Sequence, residues 1–126
     1  MSELYQRIGG DELRKVIEDF YERVMADPMI GFLFAGKNKE RLIQKEWELV
    51  SALLGAQIGY SGRSMTDAHA RVPITGGHFD RRVVILEETL EAHHVDPDVR
   101  TRWLDHVHSL RDRLISDPDA ACRSED

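Results

Sequence analysis

Cysteine is nearly absent from this chain, in which Cys122 is the only one among 126 residues. An internal disulfide is therefore excluded, and a reducing, cytoplasmic setting fits the composition. No apolar run approaches the length of a membrane span, and the first residues, Met-Ser-Glu-Leu-Tyr, lack a signal-peptide core. The formal net charge of −6, with its Lys and Arg scattered, argues against a nucleic-acid surface.

The alternating apolar pattern of β-strands is also missing, and the chain contains no internal repeat. Apolar residues instead recur at three- and four-residue spacing, which predicts an all-α protein. We expect one domain over residues 1–115 and a flexible acidic tail over residues 116–126. Asp11 and Asn38 are the expected N-caps of two of the helices.

Further expectations concern the ends and inner faces of the helices. Asp27-Pro28 should end one helix, and Asp96-Pro97 should start the last one. Another helix should begin near Thr75. The predicted inner faces are Leu13, Val16, Ile17, Phe20, Tyr21 and Val24; Phe79, Val83, Leu86 and Leu90; and Val99, Trp103, Val107, Leu110 and Leu114.

The predicted helix over residues 39–54 carries a carboxylate on its apolar side. Glu46 falls near the middle of the apolar arc and Lys45 at its margin. A buried carboxylate is costly unless it is paired, protonated or given a polar cavity. Two interpretations are open. In the structural one, Glu46 contacts Lys45 or both side chains reach water; in the functional one, Glu46 is directed into a ligand pocket. The arc is Leu42, Ile43, Trp47, Leu49, Val50, Leu53 and Leu54, and the residues expected to face away are Arg41, Gln44 and Glu48.

One histidine stands in an apolar stretch between Ser64 and Phe79. His69 precedes a turn built on Pro73 and the Gly76–Gly77 pair. Imidazole is a common ligand of iron, and a haem needs one such ligand inside an apolar wall. A structural core histidine is the alternative interpretation. Tyr21 is ambiguous in the same way, since a core tyrosine and a tyrosine that donates to a bound ligand both lie on an inner helix face.

Several of these features together resemble the truncated haemoglobins, most closely group I, over about residues 3–115. The glycine pair near the N-terminus and the Tyr-x-Gly-x-x-Met-x-x-x-His spacing are the most specific of them. The matching segments are Leu4–Gly10, Asp19–Val24 with Ala26-Asp27, Phe32–Phe34, Tyr60–Met65, Ala68-His69, Ile74-Thr75 and His78-Phe79. The resemblance implies a shortened globin, a two-over-two helical sandwich around a haem.

The resemblance also implies roles for individual residues. His69 matches the proximal iron ligand, Tyr21 the distal tyrosine that donates to bound oxygen, and Phe34 the aromatic residue that wedges against the haem. Leu42 falls where ordinary globins have the distal histidine, and Lys45 where some members carry a second iron ligand. Arg41 and Tyr60 are expected partners of the haem propionates. The residues expected to line the haem are Leu49, Val50, Leu54, Met65, Ala68, Ile74 and Phe79.

Two positions depart from the family pattern. Glu46 stands where the group often has glutamine, which removes an amide donor from the distal pocket. Val72-Pro73 replaces a common glycine-rich pair, so the turn after His69 should be stiffer. Asp112 falls where some members attach haem through the last helix, and the chain has no Cys-x-x-Cys-His, so we expect non-covalent haem b. His106 and His108 are expected to be structural or exposed, and the His93-His94 pair could bind a stray metal.

The expected function is reversible binding of O2 or another diatomic ligand, NO or CO, by a monomer or weak dimer. An alternative is an NO dioxygenase, in which an external reductase restores ferrous iron. A helical interaction domain without haem is a further alternative, since fold resemblance alone does not determine function.

Overall fold

The structure is a computed structural model that describes residues 3–56 and 76–115, with side chains described as far as residue 110. The described ranges contain helices and no strands, so the predicted all-α class is confirmed. Helix α1 spans Glu3–Ile8, α2 spans Gly10–Ala26, α3 spans Lys39–Leu53, α4 spans Gly76–Ala92 and α5 spans Pro97–Ile115, and a short 3-10 turn covers Gly31–Phe34. None of these helices is long and apolar enough to cross a membrane.

The helices pack as two pairs. Helix α2 contacts α3, and α4 contacts α5, while contacts of α2 with α4 and of α3 with α5 join the two pairs. This arrangement agrees with the predicted two-over-two sandwich. Helix α1 packs against α2 and α5. The predicted inner faces of α2 and α4 are buried throughout, and so are Val99, Trp103, Val107 and Leu110 of α5; Leu114 lies beyond the described side chains.

The ends of the helices agree with the sequence in all but one case. The Asn38 side chain accepts a hydrogen bond from the Arg41 backbone N–H at 3.1 Å, as expected of an N-cap. Asp27 follows the last residue of α2, and Pro97 is the first residue of α5. The expectation for Asp11 was wrong, because α2 already begins at Gly10 and Gly9 occupies the cap position with φ 81°. Glycine adopts this positive φ without steric cost.

Asp27 holds the 3-10 turn against α4. Its Oδ2 accepts hydrogen bonds from the backbone N–H groups of Met29 and Ile30, at 3.0 and 3.1 Å. Its Oδ1 accepts two more from the Arg81 guanidinium, at 3.0 and 2.7 Å. Since Arg81 lies on α4, this carboxylate links the start of the turn that carries Phe34 to that helix. The guanidinium also holds the pKa of Asp27 below its ordinary value.

Candidate functional site: buried residues of α2, α3 and α4

Tyr21 lies inside the helical sandwich between two phenylalanine rings. Only 5% of it is exposed, on the buried face of α2. Its ring centroid is 5.3 Å from that of Phe20 and 6.1 Å from that of Phe34, and both pairs meet edge to face. Phe34 is itself half-buried at the end of the 3-10 turn. The structure therefore brings together two of the residues predicted for the ligand pocket.

Glu46 is buried on the inner side of α3, and its cationic neighbour comes from α4. Its side chain is 6% exposed, and the Arg82 guanidinium, 10% exposed, approaches it to 3.8 Å. Burial raises the pKa of the Glu46 carboxyl above its ordinary value, and the charge of Arg82 opposes that rise. The cation found beside Glu46 is thus contributed by α4.

Arg82 also stacks on Phe20, with its guanidinium carbon 5.0 Å from the centre of the ring. This is the range of a cation–π contact. A continuous set of contacts therefore runs from Glu46 through Arg82, Phe20 and Tyr21 to Phe34.

Our sequence-based prediction did not include Arg82, although its spacing could have revealed it. Arg82 lies three residues after Phe79 and four before Leu86, on the same stripe of α4. A charged residue at such a position is either paired or functional.

The outward-facing side of α3 differs in part from the prediction. Arg41 is exposed as expected, but Glu48 is only 8% exposed. Gln44 donates to the Glu48 carboxylate at 2.8 Å and accepts from Arg14 of α2, also at 2.8 Å. Glu48 was wrongly expected to face away, because α2 covers the polar flank of α3 as well as its apolar face.

The remaining predicted pocket residues of the described ranges fall into two groups. Leu42, Lys45 and Leu49 are partly exposed on α3. Val50, Leu54 and Phe79 belong to the buried core and are at most 3% exposed, so their direct contact with a haem stays a prediction. Outside the described residues lie His69, Tyr60, Met65, Ala68 and Ile74.

The described residues fit one side of a haem pocket. A haem face needs apolar surface and, on the ligand side, a few polar groups. Phe34 and Leu42 pack against the core while retaining exposed apolar surface, and Tyr21 carries a hydroxyl on the buried face of α2. The chemistry of these side chains therefore agrees with the expected cofactor.

The histidines outside the pocket have other surroundings. His93 is hydrogen-bonded through Nε2 to Asp19 Oδ2 at 2.8 Å, with Glu12 at 3.9 Å from its Nδ1. No group of three potential metal-binding side chains occurs in the part of the chain that the structure describes, which gives the expected stray-metal site no support. His108 is exposed, in agreement with the prediction, and His106 is half-buried.

Comparisons with known proteins agree with this geometry. The family model described as bacterial-like globin matches residues 3–116. The chain is 42% identical over 114 residues to a Group 1 truncated hemoglobin of Mycolicibacterium paratuberculosis, covering 90% of this chain and 84% of that protein. It is 33% identical over 106 residues to a Group 1 truncated hemoglobin of Synechocystis, covering 79% and 84% of the two chains.

A solved structure supports the same fold. The truncated hemoglobin of Tetrahymena pyriformis in its Fe(III) form superimposes with a TM-score of 0.71 at 22% identity, covering 88% of this chain and 92% of that one. The chain belongs to the bacterial-like globin family. The expectation of a haem-binding globin is thereby confirmed, and the family does not support the alternative of a helical interaction domain without haem.

Proposed function

We propose that this globin holds haem b non-covalently, with His69 as the proximal iron ligand, and reversibly binds O2 or another diatomic ligand such as NO or CO. The observation that carries the proposal is the placement of Tyr21, which is buried between Phe20 and Phe34 on the side expected to face the ligand. A haem with one protein ligand supplies an iron that can accept a diatomic molecule in its open position.

The chain's own residues would hold this haem on its distal side and at its propionates. On the distal side, Phe34, Leu42 and Leu49 offer apolar surface, and Tyr21 offers a hydrogen-bond donor. The exposed Arg41 carries a charge suited to a propionate, with Tyr60 as its predicted companion. Exclusion of water by the apolar side chains strengthens any hydrogen bond made by Tyr21.

The proposal also covers the setting and the role of the protein. The single cysteine fits a cytoplasmic protein, and membership of a globin family fits oxygen carriage by a monomer or weak dimer. Conversion of NO to nitrate, with an external reductase, would use the same pocket and is the competing role.

Addition of hemin to the purified protein tests the proposed function. We expect a one-to-one complex with a strong Soret band, which changes reversibly when the reduced protein is exposed to O2 and then to argon. Haem should leave the protein in acidified butanone, because the attachment is non-covalent. A protein that gives no Soret band after hemin is added would contradict the proposal.

Addition of NO to the oxygenated protein separates carriage from NO conversion. Stoichiometric nitrate together with ferric protein would indicate that the conversion occurs, and sustained turnover would further require an electron donor. An oxygenated form that survives NO would leave reversible binding as the function.

A further inference from the structure

Arg82 and Glu46 form a buried pair of opposite charges inside the helical sandwich. Their side chains are 10% and 6% exposed. Removal of one partner from such a pair is usually far more costly than removal of both, because the remaining charge is left in an apolar interior. The two residues, one on α4 and one on α3, are thus expected to act together.

The geometry holds the two groups near each other without a direct hydrogen bond. Their closest N–O distance of 3.8 Å exceeds hydrogen-bond length. The guanidinium is oriented instead by the Phe20 ring, whose centre lies 5.0 Å from its central carbon. Arg82 is therefore held by stacking and by charge, while the carboxylate retains its capacity to accept hydrogen bonds.

The pair also lies next to the proposed ligand pocket. Phe20 contacts both Arg82 and Tyr21, so one aromatic ring separates the guanidinium from the tyrosine expected to contact the ligand. Glu46 lies one helical turn beyond Leu42, and residues four apart share a face of a helix. An uncompensated charge on either side chain would act on the pocket through a medium of low dielectric constant.

We propose that Arg82 is a specificity-determining and positioning residue of this pocket: by balancing the charge of Glu46, it keeps the distal side electrically neutral and favours neutral diatomic ligands over small anions. The inference rests on the proposed haem function, and it concerns the charge of the pocket and not the ligands of the iron. Arg82 positions Glu46 and does not itself touch the ligand.

Azide binding to the ferric protein tests the charge balance. Glu46→Gln leaves the cation uncompensated and should tighten azide binding roughly tenfold, whereas Arg82→Gln leaves the anion and should weaken it roughly tenfold. The double variant should return to within about threefold of the original affinity. Arg82→Lys keeps the charge, so its azide affinity should be closer to that of the original protein than the affinity of Arg82→Gln is.

The C–O stretching frequency of the ferrous CO complex provides a second readout. A positive field at the ligand favours donation from iron to CO and lowers this frequency, and a negative field raises it. Glu46→Gln should therefore shift it down and Arg82→Gln up. Shifts of the same sign in both variants, or no change in frequency and azide affinity, would overturn the proposal.

The free energy of unfolding of the haem-free protein tests the charge pair without relying on the proposed function. The two single variants should each be less stable than the double variant, because each leaves a buried charge unpaired. If the original protein bound no haem but this coupling were present, the proposed function would fail while the pair remained. If the losses of stability in the two single variants simply added up in the double variant, the pair would not act as one unit and the inference would fail.

Discussion

Tyr21 is the residue whose hydroxyl should most directly affect a bound ligand. Its ring is held edge to face by Phe20 and Phe34, which limits the directions in which the hydroxyl can point. A hydrogen bond contributes about 1 kcal/mol net, which changes a rate several-fold. Tyr21→Phe should therefore release O2 several-fold faster in stopped-flow measurements. Tyr5→Phe makes the same chemical change in α1 and should leave the rate unchanged; equal rates for all three proteins would contradict the role of Tyr21.

Lys45 is the residue proposed as a second iron ligand when no external ligand is bound. It is partly exposed on α3, beside the buried Glu46. Only a neutral amine can bind iron, because an ammonium group has no free lone pair, and coordination favours the deprotonated form. Lys45 should therefore bind ferric iron toward alkaline pH and give way to water or an open site toward acid.

Absorption and EPR spectra of the ferric protein across pH measure this exchange. The original protein should convert to a low-spin form as the pH rises, and Lys45→Ala should not. An identical spin state for both proteins at every pH would exclude lysine ligation, and a water held near Tyr21 and Glu46 would then be the better account.

At the scale of the element, the start of α3 depends on its N-cap. Asn38 accepts a hydrogen bond from the Arg41 backbone N–H at 3.1 Å. Replacement of such a cap by alanine costs about 1 kcal/mol. Asn38→Ala should therefore lower the free energy of unfolding in urea by about this amount, while Asn38→Asp, which can cap in the same way, should preserve it. Equal losses in the two variants would show that the cap does not contribute.

The turn that carries Phe34 should respond to acid through Asp27. The Arg81 guanidinium, and then the backbone N–H groups of Met29 and Ile30, lower the pKa of this carboxyl relative to the unfolded chain. A carboxyl whose pKa is lowered by folding stabilises the folded protein at pH values above its pKa in the unfolded chain, which is about 3.9. This stabilisation is lost as the pH falls through the lower pKa of the folded protein.

The thermal midpoint of unfolding measures this contribution. Asp27→Asn should unfold at a lower temperature than the original protein at pH 7, and the difference should shrink below about pH 4. Asp105→Asn, at an exposed position of α5, should differ little at either pH. A difference for Asp27→Asn that stays constant across this range would contradict the argument.

At the scale of the whole molecule, helical periodicity predicted most of the fold. The buried faces of α2, α4 and α5 were predictable from the spacing of apolar residues, because each of these helices buries a single apolar stripe. The cap at Asn38 was predictable from residue type alone. The prediction for Asp11 failed, since the preceding glycine pair lets the helix begin two residues earlier, with Gly9 at the cap.

The candidate site was predictable only in part. The roles of Tyr21 and Phe34 were predicted from a family resemblance, and the burial of Glu46 was predicted from its position on the helix. Glu46 and Arg82 are 36 positions apart in the chain and lie on different helices, so periodicity within one helix cannot reveal their contact. The burial of Glu48 depends in the same way on how α2 covers α3.

The central claim is that this globin holds its iron through His69, and replacement of that residue tests it most directly. His69→Gly should weaken haem retention, and added imidazole should partly restore the ferrous CO spectrum by binding where the side chain was. His94→Gly is the matched control, because His94 is exposed and its φ of 52° suits glycine; it should retain haem normally. A His69→Gly protein with an unchanged CO spectrum and unchanged haem affinity would contradict the account.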